Sequence, residues 1–194
     1  MVWGINDSVR KYCHLPMVWG INDSVRKYFP PYWWFFFYRK ESMQLTVGYS
    51  YHLKDSFFDY VDDDKMMSNK ENGGYRPHFC AIQDKDDSNL FWMIPISSRF
   101  DKFKRIHDNI VRKYGKCDKI VLGRFAGRNH AFLIQNAFCI RNCYVDHVHE
   151  IGNNPVRIHN DLIREIQSKL YSCLALRSKG INLFYTDIDS IKQK

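Results

Sequence analysis

Between residues 78 and 97 the chain is apolar on both sides of a single polar break: HFCAIQ, then DKDDSN, then LFWMIPIS. Two short β-rich runs bounded by turn residues predict a hairpin of His78–Gln83 with Leu90–Ser97. The period then changes. Phe100, Phe103, Ile106, Ile110, Val111 and Tyr114 recur at helical spacing over residues 98–114, and Gly115 supplies a stop. Further on, strands are predicted at 119–122 and 131–135, on either side of the basic loop GRFAGRNH. A hairpin of 146–151 with 156–158 follows across GNNP. Leu162, Ile163, Ile166, Leu170 and Leu174 mark a long helix over 160–179 ending at Gly180, and a last strand is predicted at 181–185. Upstream, Gln44–Tyr51 alternates as a strand, and Asp55–Met67 reads as a helix with Asp55 as its N-cap. Five or six short strands with three inserted helices predict an α+β domain on a small, strongly bent sheet or barrel.

Residues 1–42 follow neither period. They hold 12 of the 31 aromatic residues, and they open with MVWGINDSVRKY repeated perfectly after CHLP. Two copies of a 16-residue period are too few and too short to stack as a solenoid. The domain organisation read from this contrast is an N-terminal extension, 1–42, and one folded domain, 43–194.

Composition narrows the partners. The formal net charge is +8, of which +5 lies in residues 43–194, and a basic balance favours acidic partners such as nucleic acid. No apolar run reaches the roughly 20 residues of a membrane span, and Asp7, Arg10 and Lys11 stand where a secretory h-region would lie. Six cysteines without a dense framework spacing read as reduced thiols of a cytoplasmic protein.

The positive charge is concentrated. Residues 98–116 carry seven Lys+Arg against two Asp, and they begin where the strand ending in Ser97 runs into a helix. Free N–H groups of a first helical turn, with Ser97 and Ser98 as hydroxyl donors and Arg99, Lys102, Lys104 and Arg105 close by, form a candidate phosphate site. In the predicted hairpin, the start of one strand lies beside the end of the other, which brings Tyr75, Arg76 and His78 to the same place. An imidazole that exchanges protons near neutral pH, an arginine that clamps a phosphate, and serines and a lysine that stabilise developing charge are what metal-independent RNA cleavage requires. In GRFAGR, Phe125 between Arg124 and Arg128 suits a loop that stacks a base and contacts phosphates. Cys139, Cys143, His147 and His149 match no standard zinc spacing, and Asp62–Asp64 read as a solvated helix end. No metal or other cofactor is therefore expected.

RPHF…IPISS, with a polar loop between the two strands and a Lys-rich helix after them, resembles the toxins of type III toxin–antitoxin systems, ToxN and AbiQ. Residues 52–188 look most like the CptN branch of that family. The resemblance implies a compact SH3-like (MazF/Kid-like) antiparallel β-barrel with inserted helices. It also implies a sequence-selective endoribonuclease that uses the substrate's 2′-hydroxyl and leaves a 2′,3′-cyclic phosphate. Its partners would be cellular or phage RNA as substrate and a small pseudoknotted antitoxin RNA as inhibitor, joined in a closed toxin–RNA complex in the bacterial cytoplasm. Growth arrest and phage defence are the implied role. Ser97, Ser98 and Lys102 fall on the family's active-site segment, and His78 stands where related toxins place a basic residue. In such loci, repeats encoding the antitoxin precede the toxin gene. The 16-residue period corresponds to 48 nucleotides, so residues 1–42 read as translated antitoxin RNA, with the physiological start at Met43. The rival class is a non-catalytic RNA-binding module using the same basic helix and loop.

Overall fold

The computed structural model describes residues 43–193, in which four helices accompany a mostly antiparallel sheet. In chain order the elements are β1 (Ser50–Leu53), α1 (Asp55–Val61), β2 (Lys70–Glu71), β3 (Gly74–Tyr75), β4 (His78–Gln83) and β5 (Leu90–Ser97). There follow α2 (Phe100–Tyr114), β6 (Ile120–Phe125), β7 (Arg128–Leu133), β8 (Phe138–Arg141), β9 (Val145–Val148), β10 (Glu150–Ile151) and β11 (Asn154–Pro155). α3 (Asn160–Arg177) and α4 (Ile188–Gln193) complete the set. The duplicated segment and the proposed translated extension, 1–42, lie outside the described residues.

β5 organises the sheet. It is buried at every position, as its unbroken apolar sequence demands, and it pairs with β4 along one edge. Along the other edge lie β8, against Leu90–Met93, and then β7, against Ile96 and Ser97. β7 and β8 are thus one strand broken by the 3₁₀ turn Ile134–Asn136. The full order is β6-β7-β5-β4-β1-β9, with β8 beside β5.

The connections make the sheet curl. β8 and β9 lie at opposite edges of the order β8-β5-β4-β1-β9, yet only Asn142–Tyr144 separate them. Four strand spacings would measure about 19 Å in a flat sheet, whereas the four peptide steps from Arg141 to Val145 reach at most about 14 Å. The two outermost strands also meet through side chains: the Phe125 ring of β6 lies 5.1 Å from that of His149, just past β9. No backbone pairing closes the curl into a barrel among the described residues.

Alternation along the strands sends side chains to two cores. Phe79, Ile94, Ile96, Val121, Phe125 and Phe132 face one, which α3 covers with Ile163, Ile166 and Leu170. Tyr51, Leu53, Cys80, Met93 and Phe138 face the other, covered by Phe57 and Val61 of α1 and Ile191 of α4. A third cluster seats α2 through Phe103 against Ile120, Ala131 and Leu133. α3 lies so close to β6 that a Cβ on Gly123 would stand 2.5 Å from Leu162 Cδ2. Gly123→Ala is expected to cost about 1–2 kcal/mol through overpacking. Leu162→Ala added to it should recover much of that loss in a denaturant titration.

Several sequence expectations are corrected. The strand expected at 44–51 is Ser50–Leu53, because Gly48 adopts a positive φ of 96° and turns the chain just before it. The helix expected to reach Met67 ends at Val61, where Asp62 takes the left-handed conformation, and its N-cap is Lys54 rather than Asp55. The expected strand 181–185 is absent. Asn182 Oδ1 folds back to accept from the Phe184 amide, only Tyr185 of that stretch donates a backbone bond to the sheet region (to Gln135), and α4 follows. Lys192 of α4 is tied to Asp84 at 2.6 Å, and Asp84 also accepts from the Trp92 indole at 2.9 Å. Among the described residues no helix is long and apolar enough to cross a membrane.

Candidate active site

β2 and β3 form a two-residue hairpin. Asn72 and Gly73 both have positive φ, 52° and 82°, as a type I′ turn requires, and Glu71 opposes Gly74. This small ribbon carries Glu71 to the junction between β5 and α2. Its carboxylate accepts from the Ser97 hydroxyl at 2.8 Å, the Ser98 amide at 2.8 Å and the Ser98 hydroxyl at 3.0 Å. Arg76 Nη1 lies 3.2 Å away and Arg99 Nε 3.6 Å. The bonded amide belongs to Ser98, one residue before the N-cap Arg99 and so outside the first turn of α2, and the group these donors hold is the protein's own carboxylate.

The electrostatics follow from burial. Glu71 and Arg76 side chains are 7% and 5% exposed. Burial acts to raise the Glu71 pKa, but the Ser98 amide, the Ser97 hydroxyl and the Arg76 charge together hold it below the usual carboxylate range. Arg76 also donates to the carbonyls of Ser68 and Ile96, which locks the ribbon to the sheet. Ser98, Arg99 and Lys102 face solvent on the open side of this donor set.

The expected residues separate into three groups. Ser97, Ser98, Arg76 and Arg99 converge on Glu71. Tyr75 is half-exposed nearby; its hydroxyl donates to Asp55 at 3.0 Å, with Lys70 over its ring. Lys102 lies one turn into α2 with its ammonium 5.6 Å from the Phe103 ring centroid. Lys104 is paired with Asp108 and Arg105 is exposed on the same helix.

His78 is not at the surface. Register does bring it beside Pro95, as the hairpin predicts, but its side chain points into the α1-covered core. It is 0% exposed, between Phe58 and Phe138 at 6.0 and 5.5 Å. Burial first, then the charges of Arg76 and His52, push its pKa down to about 3. Neither ring nitrogen has a well-formed hydrogen bond, so this imidazole is sealed and neutral, which corrects its expected role as a proton exchanger. Phe125 is likewise corrected: it is 3% exposed and packs within the protein, edge-on to His130 and Phe132 and tilted against His149, rather than offering a face to a base. Arg124 and Arg128, on either side of the Ala126–Gly127 turn, are exposed, and Arg124 donates to the Gly127 carbonyl.

Beside the donor set, a cleft of about 380 Å³ is lined by Asp55, Phe58, Asp59, Met66, Met67 and Lys70. Its three carboxylates, Asp63 included, oppose an incoming phosphate. Among the described residues no group of three or more His, Cys, Asp or Glu is arranged to hold a metal ion, and Cys139 is enclosed in the core at 1% exposure.

Sequence reasoning missed Glu71 and the short ribbon that carries it. The signal was present in Asn72-Gly73, the strongest short-range hairpin dipeptide, but two-residue strands leave no periodicity to detect. No family model matches the chain, and no curated protein is significantly similar to it.

Proposed function

We propose that this chain is a metal-independent endoribonuclease, the toxin of a type III toxin–antitoxin system of the CptN kind. It acts at the Ser97–Ser98 junction and is restrained in the cell by a repeat-derived pseudoknot RNA. The observation that carries the reading is the donor set gathered just ahead of a basic helix. One amide, two hydroxyls and two guanidiniums there converge on a single anion. Such a set suits the charge that develops on a phosphate when a 2′-hydroxyl attacks it and the 5′-oxygen leaves. The substrate phosphate approaches from the solvent side, onto Ser98, Arg99 and Lys102. Glu71, bonded to the Ser98 hydroxyl, is the proton acceptor nearest that face. The curled sheet, with its outermost strands brought together, supports the SH3-like barrel in a form left open at one seam.

The sealed His78 favours the alternative, an RNA-binding module without catalysis. A defined RNA incubated with the protein in EDTA separates the two. Ser98→Ala is expected to lower the cleavage rate by about 10²–10³-fold, the loss typical of one oxyanion donor. Lys102→Ala is expected to weaken both binding and rate, and the products should carry cyclic-phosphate ends. Tight, salt-sensitive binding with no cleavage across a broad RNA panel would leave the binding module.

A further inference from the structure

Four histidines gather at one end of the curled sheet, on the face opposite the Glu71 site. His52 opposes His147 in register and lies on the same face as Ser50, which opposes Phe79. His130 alternates with Phe132 on that face, and His149 meets Phe125 across the seam. The rings are in contact: His52 Nε2 and His149 Nδ1 are 2.8 Å apart, and His52 stacks on His147 at 4.6 Å. His130 contacts Phe125 at 5.6 Å. Two residues before His130, and on its face, lies Arg128.

The cluster is short of counter-charge. Arg128 has no ion pair among the described residues. Among the described residues, the carboxylate of Asp146 pairs with His147 at 2.8 Å and bears on His52. His52 Nε2 and His149 Nδ1 face each other at hydrogen-bond distance, while His52 Nδ1 is buried without a hydrogen-bond partner among the described residues. Burial and mutual repulsion hold His52 and His149 uncharged at neutral pH. A tetrahedral oxyanion placed at this rim supplies the missing negative charge, and the imidazoles answer by taking up a proton.

We infer that this end of the sheet, formed by His52, His130, His147, His149 and Arg128, is a phosphate-binding subsite whose occupation is coupled to proton uptake by the histidines. The phosphate comes either from an RNA backbone or from the free ion. The RNA source rests on the proposed function, whereas the subsite itself does not.

Two probes test it, inorganic sulfate and a 2′-deoxy oligonucleotide that cannot be cleaved. Both keep their charge between pH 8 and 6, so any proton taken up belongs to the protein. Calorimetric titration of the full chain in two buffers of different ionisation enthalpy is expected to show about one proton bound per anion. Affinity should rise up to about tenfold as the pH falls by one unit. His147→Asn and Arg128→Ala, both at exposed positions, should abolish the linkage, and Ser98→Ala should keep it. Linkage with both probes supports a general oxyanion subsite. Linkage with the oligonucleotide alone assigns it to RNA phosphates, and linkage with sulfate alone assigns it to the free ion. Binding without proton uptake, or linkage unchanged in His147→Asn, overturns the inference. In the wild type, imidazole NMR resonances unmoved by sulfate would do the same whatever the variants' stability. Failure of RNA cleavage alone would sink only the nuclease reading.

Discussion

Replacing Glu71 with Ala is expected to lower stability by about 3–5 kcal/mol, the loss usual when one partner of a buried ion pair is removed, and inorganic phosphate should then restore part of it. Among the described residues, the Glu71 carboxylate alone bonds the Ser98 amide and the Ser97 and Ser98 hydroxyls as an anion, and it pairs with Arg76. Removing it leaves a guanidinium 5% exposed and three donors without an acceptor. Glu71→Gln keeps the shape and one acceptor oxygen but loses the charge, so it should cost less. In Glu71→Ala the donors that held the carboxylate are left to an incoming anion such as phosphate. At pH 8 His52 and His149, whose pKa values burial lowers, are uncharged and compete little for anion. There, phosphate at 100 times its dissociation constant should return about 2.7 kcal/mol to the variant, and little to the wild type. Urea titrations of both proteins with and without phosphate provide the measurement. Equal stabilisation of the two, or a Glu71→Ala protein as stable as the wild type, would mean that the pocket is not an anion site.

Acid should destabilise the protein well before its carboxylates are protonated. His78 and His52 have folded-state pKa values near 3 and 4, against 6.5 when unfolded. Each therefore binds its proton more readily in the unfolded chain. Above about pH 6.5 neither group costs anything. As the pH falls below that value the unfolded state gains protons the folded state refuses, and stability declines until the folded pKa is reached. At pH 4.5, two units below the unfolded value, His78 contributes a loss of about 3 kcal/mol. The share of His52 is about 1 kcal/mol because solvent reaches part of its ring. Glu71, Asp84 and Asp87 have depressed pKa values, so their contribution is complete above the ordinary carboxylate range and is lost only below it. The interval between pH 6.5 and 4.5 therefore belongs to the histidines. His78→Leu, which sacrifices no well-formed hydrogen bond, should match the wild type at pH 7 and lose stability less steeply towards pH 4.5. A variant that follows the wild-type curve would show that His78 is not sealed.

These two predictions rest on residues the sequence presented very differently. His78, in RPHF beside an arginine, carried every local sign of an active-site histidine. The hairpin expectation put it near Ser97 and Ser98, and the observed register sets it opposite Pro95. Which face it occupies depends on what covers that face, and α1 with Phe58 seals it. Glu71 drew no attention as one charge in a polar stretch, yet it collects more donors than any expected site residue.

Long-period features were legible from the chain alone. The β4–β5 hairpin, α2 with its glycine stop and α3 with its apolar stripe all appear where periodicity set them, because each buries a continuous face that the pattern must record. Hairpin geometry sets the start of β4 beside the end of β5, but Ser97, Ser98, Arg76 and Arg99 are joined through Glu71, which that geometry does not supply. What only the tertiary structure decided were the short and curved parts. The two-residue ribbon of Glu71, the break of β7 from β8 and the meeting of Phe125 with His149 across the seam are set by contacts distant in sequence. Of the four clustered histidines only His147 and His149 are neighbours in the sequence; nothing local joins His52 and His130 to them. A linear pattern records what each segment must bury. Only curling the sheet determines which buried or exposed groups come to face one another.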